Sequence, residues 1–469
     1  MEPKGMQLLT DEQMRTFIAQ GFLILKTDFP REFHENLVAQ LNSVYEEEGN
    51  PGNNLLPRIR ELQHVFDHPV VTGALTSVLG PNYMMHAHRH GHYNASSKPG
   101  GWHKDSYWGY SRLRNHHPHW AMIMYFPQDT PVELGPTGIM PGTQNYETRT
   151  FEDDEAPGEA LASGGAGTFA LIHYDIWHRS TPNVLGQPRY MLKFEFMRTE
   201  MPKSPSWDNQ VATWQKPAEL KLPIAEHDRM WEETWNWLSG RVGSLAGTVA
   251  AEPAHLKKLT EQLGASEPVA IDAAYELAAS GKAGVHSLLL GLQSDNRDIS
   301  RVSAYGLSVA GADAVPGLIA ALQQADSEIV ARAAFALGEL RSLAADAVPA
   351  LAALLRHPAP LVRHTAVDAL GLMEVQVDLA VAALSGALQD ESAQVRFMAS
   401  LALSRLGRAA EAAVPQLEVA LGDENRYVRA HAAESLNYIG TERAKQSLIK
   451  FLLNTRWCPT TTKANAFYP

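Results

Sequence analysis

The chain has 469 residues, 45% of them hydrophobic and 20% charged, which is the profile of a soluble globular protein of two or three domains. Its net charge of −12 argues against a nucleic-acid backbone as main partner, and it contains no apolar run long enough to span a membrane. The opening Met1-Glu2-Pro3-Lys4-Gly5 lacks the apolar core of a secretory signal, and the lone Cys458 excludes an intrachain disulfide, so a reducing cytoplasm is the expected location.

The first predicted element is a helix opened by Leu9-Thr10-Asp11-Glu12-Gln13, with Thr10 as N-cap and Gln13 as its capping-box partner. Gly21-Phe22-Leu23-Ile24-Leu25 is the continuous apolar run of a buried strand, and residues 31–48 and 68–79 carry helical periodicity. From Tyr83 to Phe196 the segments are short, often alternating and broken by Pro, Gly and Asn, the pattern of a β-sandwich or barrel. His86, His88, His90 and His92 alternate there, so all four face one side of a strand. They fit a wall for an anionic substrate or a half-exposed strand that happens to carry imidazoles; a second metal is a poorer third reading. His88, His90 and His92, with Asn94 and Lys98 in the same stretch, are the candidate substrate-binding residues.

Gly101-Trp102-His103-Lys104-Asp105 places an imidazole and a carboxylate two residues apart, on one face if the backbone is extended. Ile176-Trp177-His178-Arg179-Ser180-Thr181-Pro182 supplies a second imidazole. Two histidines and one carboxylate make the facial triad that holds iron(II) and leaves positions open for a bidentate cosubstrate and dioxygen. A bare His-x-Asp is common by chance, and its companions carry the argument. Arg189, eleven residues after His178, can clamp a carboxylate bidentately; Ser180 can add a hydroxyl; and the loop Leu134–Gln144 lies between the ligand groups. A competing pair, His173 and Asp175, lies too close in sequence to His178 to bring the third ligand around on a separate strand. Arg198 is the second candidate for the clamp.

Together these residues resemble the phytanoyl-CoA dioxygenase family over about residues 8–200. The resemblance implies a double-stranded β-helix (jelly-roll) domain that uses Fe(II), 2-oxoglutarate and O2. It implies that His103, Asp105 and His178 are the metal ligands, that Arg189 with Ser180 binds the distal carboxylate of 2-oxoglutarate, and that Trp120 lies beside the cosubstrate. The implied activity is hydroxylation of an unactivated C–H bond of a small organic substrate, with release of succinate and CO2. The chain departs from the family in reading Pro141-Gly142-Thr143-Gln144 where Pro-Gly-Ser-His is usual, a difference of loop or substrate. Asp105 occupies the position that is a small residue in related halogenases, which favours hydroxylation.

Near residue 240 the composition changes. Trp231, Trp235 and Leu238 share one face of a helix suited to docking the two halves, and Ser239–Gly247 looks like a link. Beyond it Leu289, Leu322, Leu355, Leu388 and Leu421 recur every 33 residues, and A-V-P-x-L occurs at 314–318, 347–351 and 413–417. This is the period of a solenoid of two-helix units, with Pro316, Pro349 and Pro415 in first helical turns, and it resembles the HEAT family. Repeating Asp and Arg residues (Asp326 and Arg332, Asp390 and Arg396, Asp423 and Arg429) fit an ion-pair ladder between repeats rather than a binding ladder. The reading is therefore a multi-domain α+β chain: an oxygenase domain at 1–240, a linker at 241–264, an α-helical HEAT-repeat solenoid at 265–453 and a tail at 454–469. Its expected partners are a small-molecule substrate and a protein bound through the repeats, with no nucleic acid and no membrane. The alternatives are a non-catalytic HEAT scaffold with a relic oxygenase domain, or an oxygenase acting on a protein- or carrier-bound substrate recruited by the repeats.

Overall fold

In the computed structural model, which describes residues 5–105, 115–151, 158–220, 225–250 and 252–454, the first helix is Asp11–Gln20. The Thr10 hydroxyl accepts from Gln13 N–H while the Gln13 side chain accepts from Thr10 N–H, the reciprocal box read from the sequence. Gly21 closes the helix at φ +79°, where an L side chain is strained, and a Cβ there would also strike the Gln144 side chain at 2.4 Å. Helices Arg31–Glu48 and Pro69–Leu79 follow, the latter with Pro69 in its first turn and His68 as cap.

The strands of this part are β1 (Phe22–Lys26), β2 (Met84–Asn94), β3 (Trp120–Tyr125), β4 (Thr137–Ile139), β5 (Ala160–Leu161), β6 (Thr168–His173), β7 (His178–Ser180) and β8 (Arg189–Met197). They form two antiparallel sheets of the jelly-roll kind, ordered β1-β6-β3-β8-β2 and β5-β4-β7. Every residue of β8 is buried, yet the strand reads Arg-Tyr-Met-Leu-Lys-Phe-Glu-Phe-Met. The alternation sorts this composition. Phe194 and Phe196 pack against Phe66 with ring centroids 4.3 and 5.8 Å away, so Arg189, Lys193 and Glu195 share the opposite face. Buried charges need partners, and that face therefore marks the polar interior of the domain.

β2 pairs with β8 through a bulge. Met85 lies opposite Phe196 and Arg89 opposite Phe194, so His86, Ala87 and His88 together oppose Glu195 alone. The four alternating histidines are thereby divided: His86 and His88 flank Glu195, whereas His90 and His92 pair with Lys193 and Met191.

The described residues separate into two compact units between Glu226 and His227. The sequence reading draws that division at residue 240; the helix Asp228–Leu238 falls in the second unit, where the His227 ring lies within hydrogen-bond distance of Asp272 and Arg229 forms an ion pair with Glu276 of helix Glu267–Ala279. The stretch read as a linker contains the helix Pro253–Gln262. The repeats follow as helix pairs, among them Ser327–Glu339 with Val348–Leu354 and Ala393–Leu406 with Val414–Ala420. Pro316, Pro349 and Pro415 each sit in a first helical turn, and the recurrent Leu337, Leu370, Leu403 and Leu436 are buried. The ion-pair ladder is present in a shifted form. Arg363 forks onto Asp390 and Arg396 onto Asp423 of the next repeat, while within a repeat Arg396 donates to the backbone carbonyl of Asp390. No described helix is long and apolar enough to cross a membrane. The expected tail beyond Asn454, with Cys458, lies outside the described residues.

Candidate metal centre

β7 is the hub of the site. On one side it pairs with β4, Ile139 opposite His178 and Thr137 opposite Ser180. On the other, His103 and His178 exchange both backbone hydrogen bonds, each N–H donating to the partner carbonyl at 3.0 Å. Gly100 N–H donates to Ser180 O in the same register, and a Cβ at Gly100 would come within 2.6 Å of the Ser180 hydroxyl, so glycine there lets the segments close. The loop Met140–Gln144 supports β7 from below. Thr143 Oγ1 accepts the N–H of Trp177, and the Gln144 amide donates to the free carbonyls of Ile18 and Ala19 at the end of the first helix. Lys104, between the two residues of the His-x-Asp string, donates to the carbonyls of Thr143 in that loop and Tyr146 just beyond it. The departure of this loop from the Pro-Gly-Ser-His pattern thus has a packing role.

One donor atom from each of His103, Asp105 and His178 lies within 4.8 Å of the other two. Both imidazoles are oriented through Nδ1, which faces the carbonyl of Gly101 in His103 (2.9 Å) and of Ile176 in His178 (3.1 Å), leaving Nε2 for the centre. Burial, then the neighbouring His178, hold His103 below the usual imidazole range, which is the neutral ligand form. Burial pushes the Asp105 carboxyl up, but hydrogen bonding and charge from His178 and Lys193 outweigh it and hold the group well below the usual carboxylate range. Asp105 Oδ2 is 3.2 Å from His178 Nε2 and Oδ1 is 2.9 Å from Lys193 Nζ. Two imidazoles and an ionised carboxylate at this spacing fit a divalent cation of the iron class.

Beside the donors is a cavity of about 200 Å³ lined by residues that include His92, Asn94, Ser180, Arg189 and Lys193. Arg189 is 1% exposed, and among the described residues no carboxylate pairs with it; its guanidinium lies 5.8 Å from the Phe126 ring and its Nε has no partner. Burial lowers its pKa to about 10. Arg179, also on the wall, differs in being neutralised by a fork onto Glu159 and stacked over Trp102.

Residues 25–191 match the phytanoyl-CoA dioxygenase (PhyH) family, and residues 315–396 and 381–458 match HEAT repeats. The chain joins a PhyH-type domain to a HEAT-repeat array. Among solved structures, the α-ketoglutarate-dependent carbocyclase SnoK from nogalamycin biosynthesis is 17% identical over 42% of this chain and 88% of its own, with a TM-score of 0.34. EctD from S. alaskensis, solved with 2-oxoglutarate and 5-hydroxyectoine, is 13% identical over 41% of this chain and 77% of its own, with a TM-score of 0.35. The non-heme monooxygenase ThoJ in its nickel complex is 18% identical over 45% and 88%, with a TM-score of 0.32. No curated protein sequence matches the chain.

The PhyH-type domain brings His103, Asp105, His178, Ser180, Arg189, His92 and Asn94 around one centre. Trp120 is not among the cavity-lining residues; it packs at a tilt against Tyr174 and edge-on against His86. His88 and His90 also lie off the cavity wall, His88 3.9 Å from Glu195 and His90 stacked on His88, and Lys98 is an exposed loop residue. Arg198 is buried, and its guanidinium donates to the carbonyls of Val78, Pro118 and Glu200. His173 Nδ1 accepts the N–H of Asp175, and neither joins the triad group. Sequence reasoning missed Lys193 and Glu195. The signal was there in the charged alternate positions of β8 that follow Arg189.

Proposed function

We propose that this protein is an iron(II)- and 2-oxoglutarate-dependent dioxygenase that hydroxylates an unactivated C–H bond of a small organic substrate. One observation carries the reading: a buried guanidinium without a carboxylate partner among the described residues, Arg189, lines the cavity into which His103 and His178 also face. An unpaired buried charge is costly, and a ligand carboxylate is the group that relieves it. A relic scaffold would have no use for that cost.

In this reading His103, Asp105 and His178 hold the metal, and Arg189 with the Ser180 hydroxyl receives the distal carboxylate of the cosubstrate. Bound there, iron(II) and 2-oxoglutarate would supply the chemistry that activates O2, the oxidant: one oxygen atom would go to the C–H bond to give an alcohol and the other to succinate as 2-oxoglutarate loses CO2. The residues of the chain bind, orient and exclude water. Thr143 and Lys104 fix the two ligand segments against one loop, and the neutral His92 with Asn94 lines the side left for substrate. The test is anaerobic addition of iron(II) and 2-oxoglutarate to the purified chain. A visible charge-transfer band that Asp105→Ala abolishes is expected, and its absence from the wild-type chain would sink the proposal. A succinate-release screen over small carboxylates, CoA esters and peptides then separates a free substrate from one recruited by the repeats.

A further inference from the structure

Lys193 lies four residues along β8 from Arg189 and shares its face. Its ammonium is 2.9 Å from Asp105 Oδ1, and both side chains are buried, with 5% and 3% of their surface accessible. The other oxygen, Oδ2, is the one 3.2 Å from His178 Nε2. The two oxygens of Asp105 therefore have different environments, one held by an ammonium and one among the metal donors.

Resting on the triad reading above, we infer that Lys193 is a positioning residue that holds Asp105 to one-oxygen ligation and so keeps a coordination position open for the cosubstrate. A carboxylate can bind a cation through one oxygen or both. With both, two imidazoles and Asp105 would fill four of six positions. A chelating cosubstrate would then compete with Oδ1 for room around the cation, and binding beside it would fill all six positions and leave none for dioxygen. A hydrogen bond from a buried ammonium to Oδ1 opposes that second contact. It does so at a cost, because the same positive charge repels a metal cation. A lysine that merely completed the site would strengthen metal binding. A lysine that divides the carboxylate weakens metal binding and strengthens cosubstrate binding, and this opposition makes the role measurable.

The experiment uses the full chain loaded with cobalt(II), whose visible absorption reports coordination number, titrated with 2-oxoglutarate without oxygen. Lys193→Met is expected to bind cobalt at least as tightly as the wild type, yet to bind 2-oxoglutarate about tenfold or more weakly and to lack the wild-type spectral change. Lys193→Arg, which keeps a charged donor, should restore most of both. Loss of cobalt affinity in a folded Lys193→Met chain would show that Lys193 only builds the site, and wild-type cosubstrate affinity and spectrum would show that it does nothing to Asp105; either overturns the inference. Should Lys193→Met not fold, Lys193→Gln is read in the same way, with an intermediate cosubstrate affinity expected and the wild-type value overturning. Failure of the wild-type chain to bind cobalt would instead overturn the triad reading itself.

Discussion

His103 and His178 are locked to one another by backbone before any side chain is considered, through two hydrogen bonds of 3.0 Å between residues 75 positions apart. Their imidazoles, 4.4 Å apart between ring centroids, are each oriented through Nδ1. The donors are thus preorganised by the sheet, and a cation entering the site has little ordering left to do.

Replacing His178 by Ala should therefore abolish substrate-dependent succinate formation and metal retention while leaving the melting temperature close to wild type; Asp105→Ala should abolish both and also lower the melting temperature, because it removes the buried ion-pair partner of Lys193. His173→Ala is the control and should retain its metal, because His173 packs beside Asp175 and Phe17 outside the triad group. Metal content after gel filtration, measured beside succinate release, checks both. Full activity in His178→Ala would end the assignment.

The two buried arginines of β8 and its end should separate cleanly. Lowering of the Arg189 pKa from 12.5 to about 10 by burial corresponds to a destabilisation of roughly 3 kcal/mol at neutral pH in the ligand-free chain. Arg189→Met should leave the ligand-free melting temperature unchanged or raised, while 2-oxoglutarate affinity falls by about 30-fold or more. Arg198→Met should do the reverse. It strips donors from the carbonyls of Val78, Pro118 and Glu200 and should cost roughly 2–4 kcal/mol of stability. Calorimetry and cosubstrate titration on the two variants decide between them.

Much of this was legible before the fold was known, and the limit is physical. His-x-Asp, the distal histidine, Ser180 and Arg189 are fixed by spacing within short segments, and the 33-residue period announces the solenoid directly. Lys193 looks like any polar position of an alternating strand until the sheet brings it to Asp105, 88 residues earlier in the chain. The bulge in β2 leaves no mark on the alternating histidines, so their division around Glu195 could not be read from their spacing. Trp120 carried a role only by alignment with a family position, and the chain uses it instead to pack Tyr174 and His86.

The histidines of β2 should make the ligand-free domain acid-sensitive. Burial, then charge from Lys193 and His90, lowers the His92 pKa to about 2, and burial lowers His88 to about 3 with Lys193 next. A group whose folded pKa is depressed stays neutral in the folded chain while the unfolded chain takes up protons below about 6.5. Stability is therefore complete above pH 6.5 and is lost as pH falls from there toward 3. At pH 5 the loss is about 2 kcal/mol for a histidine as buried as His92. Urea midpoints at pH 7.5 and 5.0 measure it, and His92→Asn should flatten the difference by about that amount. An unchanged pH slope in that variant would contradict the mechanism.

Where the chain is cut should matter more than how much of it remains. Trp231, Trp235 and Trp237 are each no more than 1% exposed, and their helix is tied by His227–Asp272 and Arg229–Glu276 into the helical unit that begins at His227. A fragment ending at Gly243 would carry that helix without the segment containing Asp272 and Glu276. Each tryptophan buries about 150–250 Å², so three released together form a patch well above the few hundred Å² that monomers expose. A fragment ending at Glu226 carries none of them. The shorter fragment should therefore be the more soluble of the two and should retain cobalt(II), while the longer one self-associates. Gel filtration and cobalt titration of both fragments check this. A monomeric 1–243 fragment beside an aggregating 1–226 fragment would place the helix with the oxygenase domain and return the division to residue 240.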